Sequence, residues 1–190
     1  MRIIVTGGSG RIGWSVYHNL IKAGHEVLGV DIQLPRSDVR NSLRVDLTKS
    51  GEIYGALGQF KTEAVVHMGA WANPGHVPDQ DTYRDNTTGT FNLFQACADL
   101  GIQRIVSASS AQVYGFRDYA PEYVRVDESH PLHPLNAMPR ARLRVRVRRI
   151  TSATNMICRS RRFDSWGCGF HLRSTTRSVE YRRIRRRASG

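Results

Sequence analysis

Short apolar runs rich in β-branched residues punctuate the first half of the chain. Ile3-Ile4-Val5 is closed by Thr6-Gly7-Gly8, a pattern that predicts a strand buried on both faces of a parallel sheet. Ile12, Val16 and Leu20 then recur at helical spacing up to Ala23-Gly24, a helix stop. Residues 26–30 predict a second strand ending at Asp31. Leu43-Arg44-Val45, Ala64-Val65-Val66 and Arg104-Ile105-Val106 predict a third, fourth and fifth. Between the last two, Phe91, Leu93, Phe94, Cys97, Ala98 and Leu100 form the apolar stripe of a helix that stops at Gly101. Strands alternating with helices imply βαβ units and a parallel sheet covered by helices on both faces. The proline-rich stretch 115–139 reads as a long surface loop.

Charge divides the chain. Residues 1–137 carry 12 basic and 14 acidic side chains, residues 138–190 carry 16 and 2, and together they give the net charge of +12. A basic total of this size raises the question of nucleic acid. The body, however, is near neutral, and all 16 tail cations are arginine. The tail has few aromatics for base stacking and no zinc or helix-turn-helix signature, which argues against a selected nucleic-acid arm. Cys97, Cys158 and Cys168 show no paired spacing, no signal peptide precedes the first apolar run, and no apolar stretch approaches the roughly 18 residues of a membrane span. These features predict a cytoplasmic protein with no membrane partner. His130 and His133 flank Pro131 without a third ligand and read as solvent-exposed side chains rather than a metal site.

"VTGGSGRIG" lies between a predicted strand and a predicted helix, the context in which a glycine pattern points to a dinucleotide. Gly7 suits the tight turn, Gly10 the close approach of backbone to a pyrophosphate, and Gly13 the packing of helix on strand. The N–H groups opening the helix, around Arg11 and Ile12, would hold the phosphate charge. Asp31 follows 18 residues after Gly13, placed to accept from a ribose 2′-OH. A carboxylate there repels a 2′-phosphate, which favours NAD over NADP, although Arg11 and Arg36 keep NADP open. Asp46 and Leu47 follow the third strand on the adenine side. Asp46 suits an acceptor for the adenine amino group and equally suits a turn.

"VTGGSGRIG" together with "HMGA", "DNTTGTFNLFQAC" and "SASSAQVYG" resembles the extended short-chain dehydrogenase/reductase family, the NAD-dependent sugar epimerases and dehydratases. The resemblance covers residues 1 to about 137. It implies a Rossmann-type doubly wound α/β sheet, truncated here, followed by an arginine-rich irregular tail. It also implies that Gly69 and Ala70 line the cofactor, that Asn86 is the structural asparagine of the long helix, and that Ser110 is the catalytic serine hydrogen-bonding the reacting oxygen. The substrate implied is a sugar or nucleotide-sugar, oxidised by hydride transfer. The family's usual homodimer is doubtful for so short a chain.

"VDESHPLHPLNA" resembles the lead into the catalytic helix, where the family has tyrosine, three residues and lysine. The tyrosine is a general acid/base, and the lysine holds the nicotinamide ribose and lowers the phenol pKa. The matching positions hold Met138 and Arg142. Methionine cannot transfer a proton, and arginine does not replace an ammonium. A chain so built is expected to be catalytically impaired, leaving a non-catalytic nucleotide-binding module as one alternative and nucleic-acid binding through the tail as another.

The genetic code offers a cause. Met138 is ATG and Pro139 is CCN, so reading one base earlier gives a triplet ending in AT, then GCC. The earlier frame can spell Tyr-Ala-x-Ser-Lys, with suitable codons for Ala137, Arg140, Ala141 and Arg142. "RRFDSWG", in the same frame, gives apolar, Arg, Phe/Leu or Gln, apolar, and a forced Gly, resembling the family's sixth strand. The expectation is therefore an NAD-binding domain over 1–137 and an out-of-frame, poorly ordered tail over 138–190. Without a sixth strand, Arg104–Ser107 would be left as a sheet edge.

Overall fold

A computed structural model describes residues 1–141 apart from Leu34, Pro35, Pro74, Arg117, Glu128 and Met138. The expectations for Met138, Arg142 and the tail from 142 onward lie outside the described residues.

The five apolar runs become parallel strands: β1 (Arg2–Thr6), β2 (Glu26–Asp31), β3 (Ser42–Arg44), β4 (Ala64–His67) and β5 (Arg104–Ser107), in the order β3-β2-β1-β4-β5. Ile4 stands opposite Leu28 on one side and Val65 on the other, and Val65 opposite Ile105. Strand order runs outward from β1 in one direction through β3, then reverses to β4 and β5. The carboxyl ends of β1 and β4 therefore flank the switch point where such sheets open a crevice.

Because side chains alternate across a strand, Ile4 and Val65 face one layer, while Val5 faces the other with Val66 packed beside it. The first layer holds α2 (Ser50–Gln59) and α3 (Asp79–Asp99), with Ile53, Leu57, Leu93 and Cys97 buried against β1, β4 and β5. The second holds α1 (Arg11–Lys22), which buries Val16 and Tyr17 against Val5, Val27 and Val39. Each such aliphatic side chain contributes about 1.5–3 kcal/mol on removal from water.

Helix α2 is absent from the pattern read above. Its buried face is only Ile53, Ala56 and Leu57, set among Gly51, Gly55 and Gly58. Helix α3 begins twelve residues before its apolar stripe, because the buried positions of its first half are Thr82, Asn86, Gly89 and Thr90. Their polar side chains leave no apolar period to read.

After β5, a 3-10 turn (Ala111–Tyr114) leads into chain whose described residues are irregular through residue 136; Ala137 and residues 139–141 are helical, with the Arg140 N–H donating to the Asn136 carbonyl at 3.2 Å. The expectation of an exposed His130 is corrected here. His130 is only 3% exposed, edge-on to Tyr114 and Phe116 and tilted against Tyr123. Its Nε2 accepts from the Glu122 N–H at 3.1 Å and its Nδ1 lies 3.0 Å from the Pro131 carbonyl. Three aromatic residues, Tyr114, Phe116 and Tyr123, gather around it, and they share no sequence period. His133 is exposed. Among the described residues no helix is long and apolar enough to cross a membrane.

Candidate functional site

The turn from β1 into α1 is shaped by backbone hydrogen bonds. Gly10 N–H donates to the Gly7 carbonyl at 3.0 Å, Trp14 N–H to the Gly10 carbonyl at 2.9 Å, and Gly8 N–H to Val30 at 3.2 Å. Gly7 sits at φ 70°, in the left-handed region, and a Cβ there would lie 2.7 Å from the Gly69 nitrogen. A Cβ on Gly13 would lie 1.9 Å from the Gly7 oxygen. Glycine is required at both places by close backbone approach. The N-cap, Gly10, offers no side-chain cap. The first N–H groups of α1, which no helix can satisfy internally, are thus left for an anion.

This turn forms one wall of a cavity of about 720 Å³ at the carboxyl ends of β1, β2 and β4. All eleven residues assigned from sequence to a cofactor line it: Gly7, Gly10, Arg11, Ile12 and Gly13 from the turn, Asp31, Asp46 and Leu47 beyond β2 and β3, Gly69 and Ala70 beyond β4, and Asn86 from α3. Ile12, at helical spacing with Val16 and Leu20, is 54% exposed and faces this cavity.

Each wall has a cause. The Asp31 carboxylate accepts from the Ser9 N–H at 3.0 Å and the Gln33 N–H at 3.1 Å, tying the phosphate turn to the end of β2. Asp46 Oδ1 accepts from the N–H and hydroxyl of Thr48 at 2.9 and 2.7 Å, so one oxygen serves a turn while the residue still faces the cavity. Asn92 Nδ2 donates to the Leu47 and Thr48 carbonyls, fixing this loop to α3. Asn86 clamps the loop after β4, accepting from Trp71 N–H at 2.8 Å and donating to its carbonyl at 3.1 Å.

Trp71, Arg84 and Thr90 also line the cavity and were not legible as site residues. Trp71 Nε1 donates to Asp85 at 3.0 Å. Asp85, by hydrogen bond and charge, and Asp81 raise the pKa of Arg84 and fix a cation at the wall. The signal available in sequence was adjacency, since Trp71 follows "HMGA" and Arg84 and Asp85 precede Asn86 directly.

Arg36 does not line the cavity. Its Nε donates to the Ser9 carbonyl at 3.2 Å and its guanidinium lies over the Trp14 ring, 5.4 Å from the centroid. Ser110 is likewise not part of the lining. It is half-buried just past β5, and its Oγ accepts from the Gln112 N–H at 3.2 Å as the cap of the 3-10 turn.

Comparison with known proteins follows the same outline. The profile of the NAD dependent epimerase/dehydratase family matches residues 3–146. UDP-glucose 4-epimerase of Drosophila melanogaster is 32% identical over 150 residues, 68% of this chain and 41% of that protein. The Azospirillum brasilense UDP-glucose 4-epimerase is 32% identical over 71% of this chain and 40% of its own length. Among solved structures, an Agrobacterium tumefaciens short-chain dehydrogenase/reductase superfamily protein with bound NAD superposes with a TM-score of 0.75 at 26% identity, covering 85% of this chain and 48% of that one. Thermus thermophilus UDP-glucose 4-epimerase, in complex with NAD, gives 0.74 at 25%, covering 85% and 54%. The chain thus spans roughly two fifths to one half of the proteins it matches.

Proposed function

Since the chain belongs to the NAD dependent epimerase/dehydratase family, we propose that its cavity binds NAD and that the family chemistry it serves is hydride transfer at a hydroxyl-bearing carbon of a UDP-sugar. The observation that carries this reading is the side-chain-free cradle of Gly7, Gly10 and Gly13 at the uncapped start of α1, where an added Cβ at Gly7 or Gly13 would strike backbone and one at Gly10 would press on the Gly7 oxygen at 3.2 Å. When bound, NAD supplies the hydride acceptor. The chain supplies N–H groups for the pyrophosphate, the Asp31 carboxylate for the adenosine ribose, and the Ser110 hydroxyl as a hydrogen-bond donor to the substrate oxygen. Similarity to UDP-glucose 4-epimerases supports the UDP-sugar. A cytoplasmic setting is supported by three cysteines without paired spacing.

The acid/base tyrosine and its lysine are the parts this sequence lacks, Met138 and Arg142 standing in their positions. On our reading, residues 138–190 are out-of-frame translation, and this chain binds its cofactor without efficient turnover. Titration of the full chain with NADH, followed by nicotinamide fluorescence, tests the binding. Saturable binding displaced by NAD is expected, and absence of binding at millimolar NADH would defeat the proposal.

Asp31 sets a second expectation. Asp31→Asn keeps the shape but removes the charge, and a hydrogen bond to a charged group contributes about 1.5–3 kcal/mol. NADH affinity should fall by about tenfold or more. NADPH affinity should fall less or rise, because the repulsion of a 2′-phosphate is gone. Parallel titrations with the two cofactors measure the ratio; an unchanged ratio would remove Asp31 from the ribose site.

A further inference from the structure

At the floor of the cavity, three polar side chains from three separate elements meet, Thr90 of them reaching its lining. Thr6 ends β1, His67 ends β4, and Thr90 lies midway along α3, none more than 2% exposed. Thr6 Oγ1 lies 2.7 Å from His67 Nδ1, and Thr90 Oγ1 lies 2.9 Å from His67 Nε2.

The two ends of this relay fix the direction of its protons. Thr90 donates its single hydroxyl hydrogen to the Asn86 carbonyl at 2.8 Å. It can therefore only accept from the ring, so Nε2 carries the N–H. At the other end, the Gly69 N–H donates to Thr6 Oγ1 at 3.0 Å. The Thr6 hydroxyl hydrogen then serves Nδ1, which accepts. Donation runs one way, from Gly69 N–H through Thr6 and His67 to Thr90 and the Asn86 carbonyl.

Both ends belong to the cavity wall. Gly69 is the residue against which Gly7 packs too closely for a Cβ, and Asn86 is the clamp on Trp71. The relay joins the phosphate turn, the loop after β4 and helix α3 at one buried point. Packing alone does not require a histidine there. An apolar side chain of similar volume would fill the space but leave the Thr6 hydroxyl hydrogen without its acceptor and the Thr90 oxygen without the ring N–H, at the cost of burying an unpaired donor.

We propose that His67 is a positioning residue whose Nε2–H tautomer sets the separation between the phosphate turn and the loop after β4, and so the width of the dinucleotide seat. The proposal rests on the dinucleotide reading above. The test compares the full-length chain with His67→Leu, His67→Gln, Thr90→Val and Ile53→Ala. Ile53 is buried in the α2 layer outside the cavity lining, and its truncation serves as a control for stability alone.

Two-dimensional nitrogen–proton spectra of the histidine rings, with His67 assigned by its loss in either variant, should show the Nε2–H form. His67→Leu should weaken NADH binding about tenfold, and Thr90→Val several-fold. His67→Gln, which offers an acceptor and a donor on one planar group, should recover most of the affinity. Ile53→Ala should lower the melting temperature yet leave the NADH Kd at the wild-type value. An Nδ1–H tautomer overturns the proposal whatever the variants do. So does equal NADH affinity in His67→Leu and wild type, or a loss that Ile53→Ala reproduces. A wild-type chain that binds no NADH overturns the dinucleotide reading instead, and the tautomer then judges the relay by itself.

Discussion

Gly13→Ala is expected to weaken NADH binding by about 10- to 100-fold. The added Cβ would stand 1.9 Å from the Gly7 oxygen and 2.6 Å from its carbonyl carbon. Both are backbone atoms, so no flexible side chain can swing away. The Gly7 oxygen also accepts from Gly10 N–H at 3.0 Å, so moving it opens the turn that forms the cradle. Overpacking of this kind costs about 1–3 kcal/mol, and each 1.4 kcal/mol is about tenfold in affinity. The alternative response, α1 sliding outward from β1, would carry its first N–H groups away from the phosphate position and lose affinity by a different route. Gly55→Ala is the matched comparison, since a Cβ there meets nothing within 4 Å and the site lies inside helix α2. That change should stabilise the fold by about 0.5–1 kcal/mol and leave NADH binding alone. Fluorescence titration and thermal melts of both variants check the pair. Wild-type affinity in Gly13→Ala would mean that the cradle is not where the dinucleotide sits.

The strands were legible because a parallel sheet buries both faces, which turns Ile3-Ile4-Val5 and Ala64-Val65-Val66 into unbroken apolar runs. The glycine turn was legible because its chemistry is local, with backbone geometry dictating residue type within seven positions. Illegibility followed the same logic in reverse. The first half of α3 buries Thr82, Asn86 and Thr90; Asn86 and Thr90 are compatible with burial because Asn86 pairs with the Trp71 backbone and Thr90 with His67 and the Asn86 carbonyl, whereas the Thr82 hydroxyl has no hydrogen-bond partner among the described residues. Sequence reports the polarity but not the partner. His67 reads as one histidine at a strand end, and only the approach of Thr6 from 61 positions away and Thr90 from 23 gives it a role. His130 was misread for the same reason, since its buried aromatic surroundings assemble from Tyr114, Phe116 and Tyr123 without periodic spacing. The motif around Ser110 implies a catalytic serine, whereas the structure places it outside the cavity lining as a turn cap.

Restoring the earlier reading frame from codon 138 is expected to convert a cofactor-binding chain into one that turns over a UDP-sugar. General acid/base catalysis contributes about 10²- to 10⁴-fold, and a methionine at 138 supplies none of it. Inserting one base ahead of the last base of codon 137 places tyrosine at 138 when that last base is T, forces alanine at 139, and permits serine at 141 and lysine at 142. The local backbone suits such a repair, because helical geometry already begins at Ala137, with Arg140 N–H bonded to the Asn136 carbonyl. A helix places positions 138 and 142 on one face, one turn apart, so a lysine charge there would stand beside the phenol and lower its pKa. The protein-level counterpart, Met138→Tyr with Arg142→Lys in the present frame, should recover less if the frame slip is real, because the residues that follow would still be out of frame. NADH appearance, or interconversion of UDP-sugars by the NAD-loaded protein, measures both. Stop codons soon after codon 138 in the earlier frame would end the frame-slip reading. An open frame whose product binds NADH yet turns over no UDP-sugar would instead leave the chain as a nucleotide-binding module.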